Sequence, residues 1–178
     1  MINLNGLHRS LPKNKKRKTD YWTPPEIITA LGGFDFDPCT SQGAVDFQLS
    51  RGVRIPAYLT AAEDGLAPRA EWKGRVWMNP PYGLGIKAWI ERFCKHGKGT
   101  CLVPASSTET EWGQLILMHA WRICFLKKRI AFYESPGVIT DSTFVNSMLV
   151  AIGDIDDYML SRARFAGVYF KASDMHIK

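Results

Sequence analysis

Short apolar runs alternate with segments of helical periodicity from about residue 20 onward. The clearest run, residues 75–78, is followed by a segment whose apolar side chains recur at i, i+3, i+4 and i+7. The run predicts a buried strand, and the segment predicts a helix whose core face is formed by Ile86, Trp89, Ile90 and Phe93. This alternation is typical of a parallel sheet covered by helices, so the predicted fold class is α/β.

Turn residues and further apolar runs place the other elements. Thr23 is expected to cap the first helix, with Glu26 closing a capping box, and the helix is expected to end near Gly32. Residues 34–37 predict a strand, whereas the pattern of residues 41–63 is ambiguous, with short strands expected at residues 53–55 and 58–59. Later strands are predicted at residues 100–103, 122–125 and 147–152, and a helix at residues 109–119.

The composition limits the kind of protein this chain can be. Its 178 residues, of which 46% are hydrophobic, are enough for one domain with a continuous core. The 4 cysteines form no CxxC pair, which argues against a zinc site or a disulfide framework and predicts free thiols in a reducing cytoplasm. No apolar run approaches the roughly 18 residues of a membrane span. A protein of the cytoplasm, without a metal, is therefore expected.

The net charge of +6 is concentrated in the first 19 residues. Six Lys and Arg lie there without an acid, and the other 17 balance the 17 Asp and Glu of the chain. A basic arm attracts the phosphates of any nucleic acid through counterion release, although a solvated tail has the same composition. The arm residues predicted to contact nucleic acid are Lys13, Lys15, Lys16, Arg17 and Lys18.

The sequence Asn79-Pro80-Pro81-Tyr82 follows the strand at residues 75–78 and precedes the helix. It therefore lies at the carboxyl end of a sheet strand, where open α/β sheets bind ligands. The Asn79 side-chain oxygen and the Pro80 carbonyl can each accept a hydrogen bond from an exocyclic amine, and Pro81 favours an extended Pro80. Tyr82 offers a flat face for stacking a base. The alternative is an ordinary turn, since Asn and Pro are common turn residues.

The motifs in their order resemble those of the small bacteriophage and prophage DNA N6-adenine methyltransferases. The resemblance covers residues 20–152 and is carried by residues 21–25 (YWTPP), 36–38 (FDP), 63–66 (EDGL), 76–82 (VWMNPPY) and 125–132 (FLKKRIAF). It implies a class I, Rossmann-like methyltransferase fold: a mostly parallel seven-stranded sheet with helices on both faces and the last strand antiparallel. Residues 1–19 would be a basic arm, residues 20–153 the catalytic domain, and residues 154–178 a tail packed on that domain.

The resemblance also implies a cofactor and roles for individual residues. S-adenosylmethionine would bind at the carboxyl ends of the first strands, with Asp37 holding its amino group, Thr23 near its carboxylate and Asp64 accepting from its adenine amine. The acid that binds its ribose is left open between Asp46 and Glu63. The expected cofactor-binding set is Tyr21, Trp22, Thr23, Asp37, Pro38, Asp64, Gly65 and Leu66, and the expected catalytic set is Asn79, Pro80, Pro81 and Tyr82.

The implied activity is transfer of a methyl group to N6 of adenine in DNA, on a base turned out of the duplex. Alternatives are the same fold acting on cytosine N4, an RNA base or a protein glutamine, and a DNA-binding module that has lost turnover. Further DNA contacts are expected from Lys127, Lys128 and Arg129, in a phage or prophage protein that acts inside a bacterial host. The target sequence and the choice between monomer and weak dimer stay open.

Overall fold

The computed structural model describes residues 20–139 and 145–174, and the basic arm lies outside them. The helices are α1 Pro25–Ala30, α2 Gln42–Ser50, α3 Ile86–His96, α4 Glu111–His119 and α5 Asp154–Arg162. The strands are β1 Phe36–Asp37, β2 Ala57–Tyr58, β3 Val76–Met78, β4 Gly99–Pro104, β5 Arg122–Leu126, β6 Tyr133–Ser135, β7 Val138–Ile139, β8 Ser147–Ile152 and β9 Gly167–Lys171.

Seven of these strands form one mixed sheet in the order β2-β1-β3-β4-β8-β5-β9, and β6 and β7 form a separate hairpin. The first four strands of that order are mutually parallel, whereas β8 is antiparallel to both β4 and β5. Because β9 is antiparallel to β5, five strands run one way and two run the other. The carboxyl ends of the five therefore meet at one edge, which we call the carboxyl edge.

Helices cover both faces of the sheet, because alternate residues of each strand point to opposite sides. Val76 and Met78 of β3 join one core cluster, which includes α3 and α4 residues. Trp77, between them, joins the cluster that contains α1 and α5 residues. The predicted α/β class and the mostly parallel seven-stranded sheet are confirmed and are compatible with a Rossmann-like fold, but two strands rather than one oppose the rest.

Local structure departs from the sequence prediction at the first helix. Pro24 occupies the N-cap position, no side chain caps α1, and Thr23 lies outside the helix. Two adjacent prolines fix the backbone at the helix start, so the turn forms without a threonine cap. Residues 41–63 resolve into α2, which Ser41 caps through a hydrogen bond from the Ala44 N–H, and the short strand β2. No strand forms at residues 53–55.

Candidate active site

A cavity of about 240 Å³ opens at the carboxyl edge, beside the ends of β1, β2 and β3. Its walls come from the segment before α1, the loop after β1, one face of α2 and the residue that follows β3. The lining residues include Tyr21, Trp22, Thr23, Asp37, Thr40, Gln48, Tyr58 and Asn79. The sequence placed five of these, Tyr21, Trp22, Thr23, Asp37 and Asn79, in a common site.

Asp37 lies at the end of β1 with only 8% of its surface exposed. Its Oδ1 accepts a hydrogen bond from the Cys39 N–H at 3.0 Å, and no Lys or Arg within the described ranges forms an ion pair with it. Burial raises the pKa of this carboxyl to about 7, against the opposing effect of the hydrogen bonds from Cys39 and Thr40. The cavity therefore has a buried carboxylate suited to a cationic ligand.

Asn79 follows β3 directly and is held by Thr23. The Asn79 amide nitrogen donates to the Thr23 hydroxyl at 3.3 Å, and Thr23 is itself buried. Because the nitrogen donates to Thr23, the side-chain oxygen is the end of the amide that can accept a hydrogen bond from a ligand. Thr23, predicted as a helix cap, thus instead links the segment before α1 to the residue after β3.

The rest of the turn after β3 is anchored at its tyrosine. Pro80 is buried and Pro81 is exposed. The Tyr82 hydroxyl donates to the Leu102 carbonyl of β4 at 3.3 Å, and burial of this hydroxyl raises the pKa of Tyr82. The residue as a whole is still 40% exposed, so the phenol is tethered while part of the side chain faces solvent.

Gln48 on α2 was missed by the sequence analysis. Its Nε2 donates to the Thr23 carbonyl at 2.6 Å, which fixes the orientation of the amide because a carbonyl can only accept. The Oε1 on the other side is buried and has no hydrogen-bond partner within the described part of the chain. A buried orphan acceptor is unfavourable by about 1–3 kcal/mol, which indicates a site for a ligand donor or a bound water. Gln48 reaches the cavity because α2 turns this side of the helix towards it, and the ambiguous pattern of residues 41–63 did not predict that helix.

The turn at residues 63–66 lies beside this cavity without lining it. Asp64 adopts a positive φ of 55° and accepts a hydrogen bond from the Leu66 N–H at 3.0 Å. Gly65 packs on the Pro38 carbonyl so closely that a side chain there would collide with it. The turn thus supports the loop after β1, and its Gly65, Leu66 and Asp64 are not among the lining residues.

The two acids considered for a ribose also lie off the cavity. Asp46, exposed on α2, accepts from the Gln42 amide at 2.8 Å, and that amide's oxygen accepts from the Tyr58 hydroxyl. The carboxylate of Glu63 accepts from the Thr60 hydroxyl and, at 2.8 Å, from the Thr60 N–H, and these two bonds lower the pKa of Glu63. Both acids are occupied locally, so the structure does not choose between them.

The predicted DNA-contacting residues fall in two places. Lys127, Lys128 and Arg129 follow β5 at the carboxyl edge and are exposed, and Arg129 donates to the Asn146 side chain at 3.3 Å. The backbone of Asn146 in turn accepts from Ala105, after β4, so this basic loop lies on the same edge as Asn79. Lys13, Lys15, Lys16, Arg17 and Lys18 lie outside the described residues.

The hairpin of β6 and β7 is joined to the cavity wall. Tyr133 exchanges two backbone hydrogen bonds with Trp22, at 2.8 and 3.0 Å. Its ring lies 4.6 Å from that of Phe47, on the inner face of α2. Trp22 therefore forms part of a small aromatic cluster as well as the cavity wall.

Comparison with known proteins identifies one family. A family model described as DNA N-6-adenine-methyltransferase (Dam) matches residues 12–163. No curated protein matches the chain. Among the residues that the structure describes, no helix has both the length and the apolar character needed to cross a bilayer.

Proposed function

The chain belongs to the DNA N-6-adenine-methyltransferase (Dam) family, and we propose that it takes the methyl group from S-adenosylmethionine and transfers it to an adenine turned out of the DNA duplex. The family makes the protein an enzyme that methylates adenine at N6 in DNA. Cytosine, RNA and protein glutamine as substrates, and a module without turnover, are therefore set aside. The single observation that carries the proposal is that Asn79 and Asp37, which forms no ion pair within the described residues, line the same cavity.

The cavity residues fit the proposed cofactor by their chemistry. S-adenosylmethionine supplies an electrophilic methyl group on a sulfonium sulfur, and it carries an ammonium, a carboxylate, a ribose and an adenine. Asp37 offers a carboxylate for the ammonium, and Trp22 a buried aromatic wall. The orphan Oε1 of Gln48 offers an acceptor for one of the N–H or O–H groups. Tyr21 and Thr23 complete this proposed set.

The turn after β3 supplies groups suited to adenine. The N6 lone pair is delocalised into the ring, so the amine reacts poorly unless acceptors hold both of its hydrogens. We assign these acceptors to the Asn79 side-chain oxygen and the Pro80 carbonyl. The hydrogen bond from Asn79 to Thr23 supports the first assignment, because it fixes the amide. Pro81 keeps Pro80 extended, and Tyr82 provides the stacking face.

Proton transfer places little demand on the protein in this proposal. Once nitrogen has gained a methyl group it becomes acidic, so its extra proton can pass to water without a dedicated base. Asp37 is assigned to the cofactor ammonium and not to this proton. Asp64, Gly65, Leu66 and Pro38 keep a proposed role in shaping the loops around the cofactor, as the packing of Gly65 on Pro38 supports.

The decisive experiment incubates the full chain with S-adenosylmethionine labelled in its methyl group and with unmethylated duplex DNA. After digestion to nucleosides, label is expected in N6-methyldeoxyadenosine. Asn79→Ala should lower turnover by at least about 100-fold, the size found when one polarising group is removed from an active site. Its affinity for S-adenosylhomocysteine, measured by calorimetry, should be nearly unchanged.

Two outcomes would overturn parts of this proposal. Label in adenine with an active Asn79→Ala enzyme would show that another group holds the amine. Loss of S-adenosylhomocysteine binding in the same variant would show that Asn79 maintains the cavity and not the reacting base. A Met118→Ala variant, which trims an exposed residue on α4 outside the cavity lining, is the control for indirect effects.

A further inference from the structure

Leu84 is the most exposed large hydrophobic residue in the described part of the chain. Its relative exposure is 109%, whereas the next highest, that of Tyr158, is 62%. Single exposed leucines are common on protein surfaces and need no explanation by themselves. Leu84 differs from such residues in its position. It lies two residues after the proposed catalytic turn, so its apolar side chain is exposed where the proposed reaction brings DNA.

Leu84 stands at the tip of a tight turn that is fixed at both ends. The Ile86 N–H donates to the Gly83 carbonyl at 3.2 Å, which makes Leu84 and Gly85 the two central residues of the turn. On one side Tyr82 is tethered to β4, and on the other Ile86 is buried at the start of α3. The tip is therefore held by its base, and the Leu84 side chain belongs to none of the core clusters that the described residues form.

The backbone on either side of Leu84 stands in open space. A side chain at Gly83 or at Gly85 would meet no atom of the described residues within 4 Å. Two glycines around an exposed leucine allow close approach of another molecule to the backbone of the turn. Leu84 also cannot lie far from the stacking face, because two residues of extended chain span at most about 7 Å.

We propose that Leu84 is a wedge that enters the base stack when the target adenine leaves it. Turning a base out of a duplex leaves a gap and an unstacked partner base, and an apolar side chain that fills the gap stabilises the opened form. Leucine offers neither donor nor acceptor, so it would act at this step without reading sequence. This role rests on the proposed extrusion of the base, and it makes Leu84 a positioning residue.

The target sequence is first mapped with wild type on unmethylated plasmid DNA. The test then compares Leu84→Ala, Leu84→Met and wild type on an oligonucleotide that contains this target, once as a duplex and once as a single strand. In the duplex the adenine must be extruded, whereas in the single strand it need not be. We expect Leu84→Ala to lose about tenfold in kcat/KM on the duplex, little on the single strand, and to be rescued by methionine. Ile155→Ala is the control, since this exposed residue lies in the first turn of α5 at the opposite edge of the sheet.

A second readout follows extrusion without turnover. With 2-aminopurine in place of the target adenine and S-adenosylhomocysteine present, wild type should raise the fluorescence, and Leu84→Ala should raise it less at saturating protein. Equal losses on duplex and single strand, or an unchanged fluorescence rise in Leu84→Ala, would overturn the wedge. If wild type methylates no adenine in either form, or brings no fluorescence rise, then the proposed function itself fails.

Discussion

At the scale of single residues, Asp37 is a proposed binding residue that destabilises the folded protein when no ligand is bound. A carboxylate that is buried without a cation is disfavoured relative to solvent, and its raised pKa of about 7 expresses this penalty. In the unfolded chain the same carboxyl has its ordinary pKa of 3.8. The folded protein therefore loses stability as the pH rises from the unfolded value towards the folded one. A bound ammonium would reverse this loss.

Asp37→Asn is expected to make the protein without ligand more stable while removing cofactor binding. The gap in unfolding free energy between variant and wild type should widen by about 2–3 kcal/mol from pH 5 to pH 8, because only wild type ionises a buried group there. Urea titrations at the two pH values measure this gap.

Wild-type affinity for S-adenosylhomocysteine should fall at least about tenfold from pH 7 to pH 5.5, as Asp37 becomes protonated. A gap that stays constant with pH, or equal affinity at both values, would contradict the assignment. Glu71→Gln, at an exposed carboxylate with no proposed role in binding, is the control.

At the scale of elements, the sequence predicted most where one pattern decides the structure. The strand at β3, the helix α3 and the strand β8 were predicted because their apolar residues are buried on regular spacings, and β8 matches residues 147–152. The helix α2 was not, since Leu49 on it is exposed and its buried residues include a glutamine. Among the predicted site residues, Asn79 and Asp37 each belong to a sequence motif, and both line the cavity. Gln48 could not be found, because its role depends on contacts with Thr23, 25 positions away.

One interaction between elements can be tested apart from the site. Arg75, before β3, donates to the carbonyls of Leu31 and Gly33 and pairs with Asp156, which is 1% exposed. Asp156 also accepts from the Thr100 hydroxyl, so α1, β3, β4 and α5 are joined at the edge opposite the cavity. Asp156→Ala would leave a largely buried guanidinium unpaired, and it should lower the unfolding free energy by about 3–5 kcal/mol.

The exposed pair between Lys87 and Glu111 provides the matched comparison, with side chains 53% and 81% accessible. Glu111→Ala should change the unfolding free energy by no more than about 1 kcal/mol. Urea unfolding of both variants measures the difference, and S-adenosylhomocysteine affinity at low urea should be unaltered in each. If both variants lost similar stability, the pair of Arg75 and Asp156 would contribute no more to stability than an exposed ion pair does.

At the scale of the whole molecule, the net positive charge lies in the basic arm and not in the part of the chain that carries the proposed reaction. The body beyond residue 19 is electrically balanced, and the excess of six positive charges lies in the arm. The cavity, the turn after β3 and the basic loop after β5 all lie on the carboxyl edge. A body without net charge exerts little long-range electrostatic attraction on DNA. We therefore propose that the arm provides most of the affinity for DNA, while the residues at the carboxyl edge carry out the reaction.

Neutralising the arm should therefore alter how strongly DNA binds and not which adenine is methylated. In the full chain, replacing Lys13, Lys15, Lys16, Arg17 and Lys18 by Gln is expected to reduce the slope of log K against log salt by about 4, if all five contact phosphates. Fluorescence anisotropy from low to moderate salt measures the slope, and sequencing of methylated plasmid identifies the methylated adenine.

Replacing Lys95 and Lys98, exposed before β4 at the opposite edge, should leave the slope unchanged. An unaltered slope in the arm variant would refute the arm's role, whereas a changed target would show that the arm reads bases.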